Sequence, residues 1–313
     1  MNSAAQARQS RAEVLKLARI LHRDPESLSY LEDVPLADLQ ALRDQATDVL
    51  WSADGAAIGR LAAAGKLLPA GLNATLSERA FGPLLSARLA GQLEPDRAID
   101  VAAKLPTGFL TDVAIELDPR RASEVIAGIP PQRIADITSE LIRRGEYVTM
   151  GRFVGHISDA ALRAALGAMD NGALLRVGFV MEDKDGLERL VAMLPARRMD
   201  GIIAAAAEQD LWLEALDLLS HLSEDRSRRI VHDALELEDA ALESIVATVI
   251  EHELWAEVLL IAERDAVLQA KLADRLPALS AAQRKALARR AVQEGVIERL
   301  GPLGQALAAQ PGR

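Results

Sequence analysis

Asp112 and Glu116 stand four residues apart, and Asp136 and Glu140 repeat that spacing 24 residues further on. Positions i and i+4 of a helix share a face, so each pair presents two carboxylates together. If the two segments are neighbouring helices, their axes lie roughly 8–10 Å apart and the four acids approach one ridge. Mg²⁺ takes oxygen ligands and keeps several of its waters, which makes Asp112, Glu116, Asp136 and Glu140 the candidate metal ligands. Ordinary ion pairing is the competing reading. Arg120, Arg121, Arg143 and Arg144 are close in sequence, and Glu140 precedes Arg144 in the favourable i, i+4 order.

Arginine doublets recur at Arg120/Arg121, Arg143/Arg144, Arg197/Arg198 and Arg228/Arg229. They are placed either to compensate helix C-termini or to line a groove for an anionic partner. Nucleic acid is a poor fit, because aromatic residues for base stacking are only 3% and the net charge is −10. Trp212 and Trp255 open equivalent stretches, "DLWLEAL" and "ELWAEVL", 43 residues apart. Each ring is either core or an anchor for a partner, since tryptophan is enriched in binding hot spots. Trp212, Trp255, Arg120, Arg121, Arg143 and Arg144 are therefore the candidate partner-binding residues.

Other chemistry-like stretches fall short of their motifs. "LHRDP" (21–25) lacks the asparagine of a kinase catalytic loop, with Ser29 in its place. "GRLAAAGK" (59–66) has one residue too many between its glycines for a phosphate loop, and Leu67 stands where Ser or Thr belongs. "MEDKDG" (181–186) puts Met181 and Ala192 at calcium-ligand positions. The five histidines never pair at i, i+4, and His156 and His221 read as helix-end caps or packing residues. With no cysteine, thiolate catalysis, disulfides and cysteine-held metals are excluded. No catalytic set emerges, so the expectation is a protein that is not an enzyme.

The elements that carry these residues are helical. Half of the 313 residues are apolar, mostly Ala and Leu, and strand-forming aromatic residues are scarce. Laid over each other, residues 93–116 and 117–140 agree at nine of 24 positions, prolines included. Each unit reads as two short helices. Pro95 and Pro119 sit in a first turn, Pro106 and Pro130 stop the first helix, and Ala98, Val101, Ala102 and Leu105 form its apolar stripe. A pair this small buries its apolar face only by stacking on neighbours. The fold class expected is therefore all-α, a superhelical array of short helix pairs. Residues 34–51 read as a periodic helix broken at "SADG", and Ser280 reads as a helix N-cap. The expected organisation is an N-terminal helical region at 1–92 that caps the array, repeats at 93–194, longer degenerate repeats at 195–300 and a frayed tail at 301–313.

The pattern Leu-x-Pro-x-x-Ala-x-x-hydrophobic closed by proline rests on Leu93, Pro95, Ala98, Val101 and Pro106, and again on Leu117, Pro119, Ala122, Val125 and Pro130. It resembles the intracellular N-terminal domain of MgtE-type magnesium transporters over about residues 93–194. The flagellar motor switch protein FliG has related helical repeats. The resemblance implies a right-handed superhelix of short helices and Mg²⁺ binding at acidic positions. No membrane-spanning stretch and no paired nucleotide-sensing modules accompany it, so transport is not implied. Thirty arginines against six lysines suggest a GC-rich bacterial genome. The amphipathic N-terminal segment, interrupted by Lys16 and Arg19, is not a signal peptide, and a cytoplasmic location is expected. The leading functional expectation is a scaffold or adaptor that binds a protein or peptide partner. A Mg²⁺-responsive regulator and a small-molecule binder with a pocket between helices are the alternatives.

Overall fold

The structure is a computed structural model that describes residues 3–52, 55–182, 184–195, 197–236, 238–251 and 255–309; the side chains of 3–7, 185, 255–257 and 260 lie outside this description. The described residues form α-helices joined by turns, short 3₁₀ segments and one π-helical turn (Ser77–Phe81), with no strand among them. This follows from a chain rich in Ala, Leu, Arg and Glu, the residues that lose least on entering a helix. The first twelve helices are α1 (Ser3–Ile20), α2 (Leu36–Ser52), α3 (Gly55–Gly65), α4 (Ala70–Leu76), α5 (Gly82–Ala90), α6 (Pro95–Ala102), α7 (Thr107–Glu116), α8 (Ser123–Gly128), α9 (Pro131–Arg143), α10 (Tyr147–Phe153), α11 (Asp159–Ala168) and α12 (Asn171–Val180). Then come α13 (Leu187–Ala192), α14 (Arg198–Glu208), α15 (Trp212–Leu219), α16 (Glu224–Ala234), α17 (Asp239–Glu251), α18 (Trp255–Glu263), α19 (Ala266–Arg275), α20 (Ala281–Gln293) and α21 (Gly301–Ala308). No described helix is long and apolar enough to cross a membrane.

The chain divides into two compact units, Gln9–Gly186 and a second made of Met1–Arg8 with Leu187–Arg313. In Gln9–Gly186 the short helices pack on their next-but-one neighbours. In one series α3 meets α5, α5 meets α7, α7 meets α9 and α9 meets α11; in the other α4 meets α6 and α6 meets α8. Residues 93–116 and 117–140 are thus adjacent, first helix on first helix and second on second. Their apolar stripes are the contact: Ala98, Val101 and Ala102 of α6, Leu110 and Val113 of α7, Val125 and Ile126 of α8, and Ile137 and Leu141 of α9 are all buried. The approach of α6 to α8 is close enough that a Cβ on Gly128 would collide with the end of the Ile99 side chain. Between α10 and α12 the limit is backbone, since a Cβ on Gly151 would come within 3.0 Å of the Val180 carbonyl.

The prolines explain most of the punctuation. Pro95 is the first residue of α6, and Pro106 and Pro130 stand at the N-caps of α7 and α9. The two copies differ at Pro119, which opens a 3₁₀ turn (Pro119–Arg121) and not a continuous helix; the chain turns at Ala122 (φ −128°) before α8 begins. Asp118 causes the difference. Its carboxylate accepts from the backbone N–H of Arg120 at 3.2 Å and holds the tight turn, whereas Glu94, its counterpart, makes no such cap. Helix α9 ends in a left-handed Gly145 (φ +73°), with Gly145 N–H donating to Ile142 and Glu146 N–H to Leu141, the paired bonds of a Schellman cap.

The second unit has its own apolar core, in which Leu259, Ala262, Leu268, Leu300, Leu303 and Leu307 are almost fully buried. The amide of Gln269, itself buried, donates to the carbonyls of Ala262 (3.0 Å), Glu263 (3.1 Å) and Arg299 (3.2 Å). It thereby satisfies the open end of α18 and fixes the turn before α21. Ser280 and Gln283 form a reciprocal capping box at the start of α20. The segment expected to fray from residue 301 is helical through Ala308, because Leu303 and Leu307 (1% and 2% exposed) pack into this core; residues 310–313 lie outside the described residues.

Candidate functional site

Helix α7 carries Asp112 and Glu116, α9 carries Asp136 and Glu140, and the two helices pack together. The four acids nonetheless share no common partner: Asp112 and Glu140 meet at Arg144, and Asp136 and Glu116 are engaged elsewhere. Arg144 bridges the helices, pairing with Asp112 on α7 and with Glu140 at 2.7 Å on α9. Arg143 adds a second pair to Glu140 at 2.5 Å. Hydrogen bonds from Arg143 and Arg144 push the Glu140 carboxyl down to about 2. Asp136 accepts from the Gln132 amide at 3.0 Å, and Glu116 faces His22 at 3.8 Å. Among the described residues no group of three or more His, Asp or Glu is arranged to hold a metal ion.

The first arginine doublet joins a larger ion network. Asp118 is wholly buried; Arg120 reaches it at 3.1 Å, Arg121 at 3.4 Å and the nearly buried Arg152 at 3.8 Å. Arg120 also pairs with Asp44 at 3.1 Å and Arg121 with Asp48 at 2.7 Å, both on α2. The side-chain bond to Asp118 raises the Arg120 pKa, whereas burial lowers that of Arg152 against the pull of Glu182 and Asp118. Arg43 closes the chain of charges, meeting Glu13 at 2.8 Å and Glu182 at 3.3 Å. A buried carboxylate surrounded by cations in this way fixes geometry and leaves no open coordination position. Asp118 carried no chemical signal in the sequence; only its place before a proline, as an N-cap type, marked it.

Trp212 is 4% exposed, so its ring belongs to the core of its unit. The side chain of Trp255 lies outside the described residues. The His221 ring nitrogen sits 2.8 Å from the Asp217 carbonyl at the end of α15, a helix-end cap. The three imitation motifs are structural. Asp24 N-caps a 3₁₀ turn (Pro25–Leu31), residues 59–66 fall almost wholly within α3, and Lys184 donates to the Gly178 and Phe179 carbonyls at 2.9 and 2.8 Å, closing α12.

One feature of Gln9–Gly186 lay beyond motif reading: an apolar cavity of about 210 Å³ between its helices. Its walls come from α3 through α11 and are mostly Leu, Ile, Val, Ala and Met, with Asn73, Ser77, Ser86 and Thr138 as polar members and no charged residue among them. Small residues at stripe positions make the room; Ala98, Ala102, Ala114 and Ala165 stand where Leu would fill it. Unless filled, a cavity of this size forfeits on the order of 5 kcal/mol of packing, at about 24 cal/mol per Å³. The signal was legible only as an excess of alanine, which equally suits close helix contact. Family models, curated proteins and solved structures yield no match to the chain.

Proposed function

We propose that this chain is a non-catalytic helical-repeat protein that binds a protein or peptide partner, with Gln9–Gly186 built as a superhelical array of the kind the MgtE-like resemblance implies. The observation that carries the reading is the next-but-one packing of α3, α5, α7, α9 and α11 beside α4, α6 and α8. Elements stacked in series offer an extended face, which suits recognition better than it suits a reaction centre. The clearly shifted carboxylates support binding over catalysis. Arginine bonds lower Glu140, the Ser223 backbone N–H lowers Glu188, Lys271 lowers Glu236, and the Leu268 N–H with His232 lowers Asp265. That direction takes an acid away from proton transfer near neutral pH.

The surface we assign to the partner is the outer side of α2, where Leu42, Val49 and Leu50 are exposed (45%, 69% and 42%) at i, i+7 and i+8. The test is a photo-crosslinking residue at Val49 in the full chain, followed by capture from the native cell extract. One discrete cross-linked protein, lost when Leu42→Glu/Leu50→Glu is added to the same chain at unchanged melting temperature, is the expected result. Cross-links to no protein, or to many without preference, would overturn the reading.

A further inference from the structure

We infer that the cavity of Gln9–Gly186 is a binding site for a neutral, largely aliphatic molecule carrying one hydrogen-bonding oxygen. Three observations carry it. First, the walls hold no charged side chain, so an ionised headgroup inside would be desolvated without a partner. Second, apart from Phe81, Phe153 and the uncharged polar residues Asn73, Ser77, Ser86 and Thr138 the lining is aliphatic, and it is drawn from helices in both packing series. A space that follows a stack of helices suits a chain better than a disc, and at about 210 Å³ it exceeds the roughly 150 Å³ apolar cavities that take up benzene. Third, Ser86 of α5 lines the cavity, is 7% exposed, and its Oγ has no hydrogen-bond partner in the protein. Buried hydroxyls are normally satisfied. A ligand oxygen beside Ser86 would complete the bond and orient the chain.

This inference is independent of the partner-binding reading, because it concerns an interior space and not the outer side of α2. The probes are 1-octanol, octanoate at pH 8 and 1-chlorooctane, titrated calorimetrically into the full chain with melting temperature as a second readout. We expect 1-octanol to bind one to one and raise the melting temperature, and octanoate to bind at least tenfold more weakly. Ser86→Ala should weaken 1-octanol about tenfold and leave 1-chlorooctane unchanged. Ala102→Phe, which fills the space, should abolish binding of both while melting no lower than the parent. Absence of 1-octanol binding, equal affinity for octanoate, or undiminished binding in Ala102→Phe would each overturn the site. Unchanged 1-octanol affinity in Ser86→Ala would overturn the role of Ser86. If Ala102→Phe does not fold, the octanol-to-octanoate ratio and Ser86→Ala still decide the matter.

Discussion

Arg144 holds one carboxylate on each of two helices, and Glu140 receives bonds from two adjacent arginines. The identity of the four acids was readable from the sequence, and so was the competing arginine pairing. Their actual partners were not, because Arg144 to Asp112 is a contact across 32 residues that only the packing of α9 on α7 creates. The arrangement makes a specific expectation. In Arg144→Ala the Glu140 midpoint rises above its value of about 2 but stays below the ordinary carboxylate range, because Arg143 continues to donate. Carboxyl chemical shifts followed by NMR across the acid range check this; an unmoved midpoint would show that Arg144 contributes nothing to the shift.

Among the elements, two glycines separate two kinds of close approach. Gly128 is blocked by the flexible end of Ile99, which can rotate away, whereas Gly151 is blocked by the Val180 backbone. Gly151→Ala should therefore cost about 1–3 kcal/mol, the range for overpacking, and Gly128→Ala distinctly less. Denaturant melts of the two variants rank them, and the reverse order would refute the account. Much of this level was legible beforehand. Pro95 opens α6 as read, Pro106 and Pro130 fall between helices as the expected stops but stand at the N-caps of the next ones, the 34–51 segment forms most of α2, and Ser280 caps α20. The split of the second copy at Pro119–Arg121 was hidden, because Glu94 and Asp118 look interchangeable in an overlay. One methylene fewer lets Asp118 bond the turn two residues ahead and sink into the ion network. The cavity was hidden for a different reason: an alanine stripe reads the same whether a neighbouring helix closes on it or not.

Across the whole molecule, acids outnumber bases by ten, and those with clear shifts all move one way. Glu140, Glu188, Glu236 and Asp265 are held below their ordinary values in the folded chain. The unfolded chain therefore takes up protons first as pH falls, and stability declines with it. Their combined contribution is complete above the ordinary carboxylate range. It should drain away as pH drops from about 4.5 toward the folded value of about 2 for Glu140. Urea melts at stepped pH values check the slope, and stability that rises on acidification through that window would contradict it. These four groups lie in both compact units, so the loss is expected in each.

Trp51 is the sole tryptophan between residues 9 and 186. It lies under the Arg121 guanidinium at 5.8 Å and against the cluster of Ala98, Val113 and Leu117 that also walls the cavity. The indole is thus a built-in optical probe. Once Trp212 and Trp255 are replaced by phenylalanine, its emission alone would report whether a guest has entered, in a steady-state fluorescence titration that needs no label.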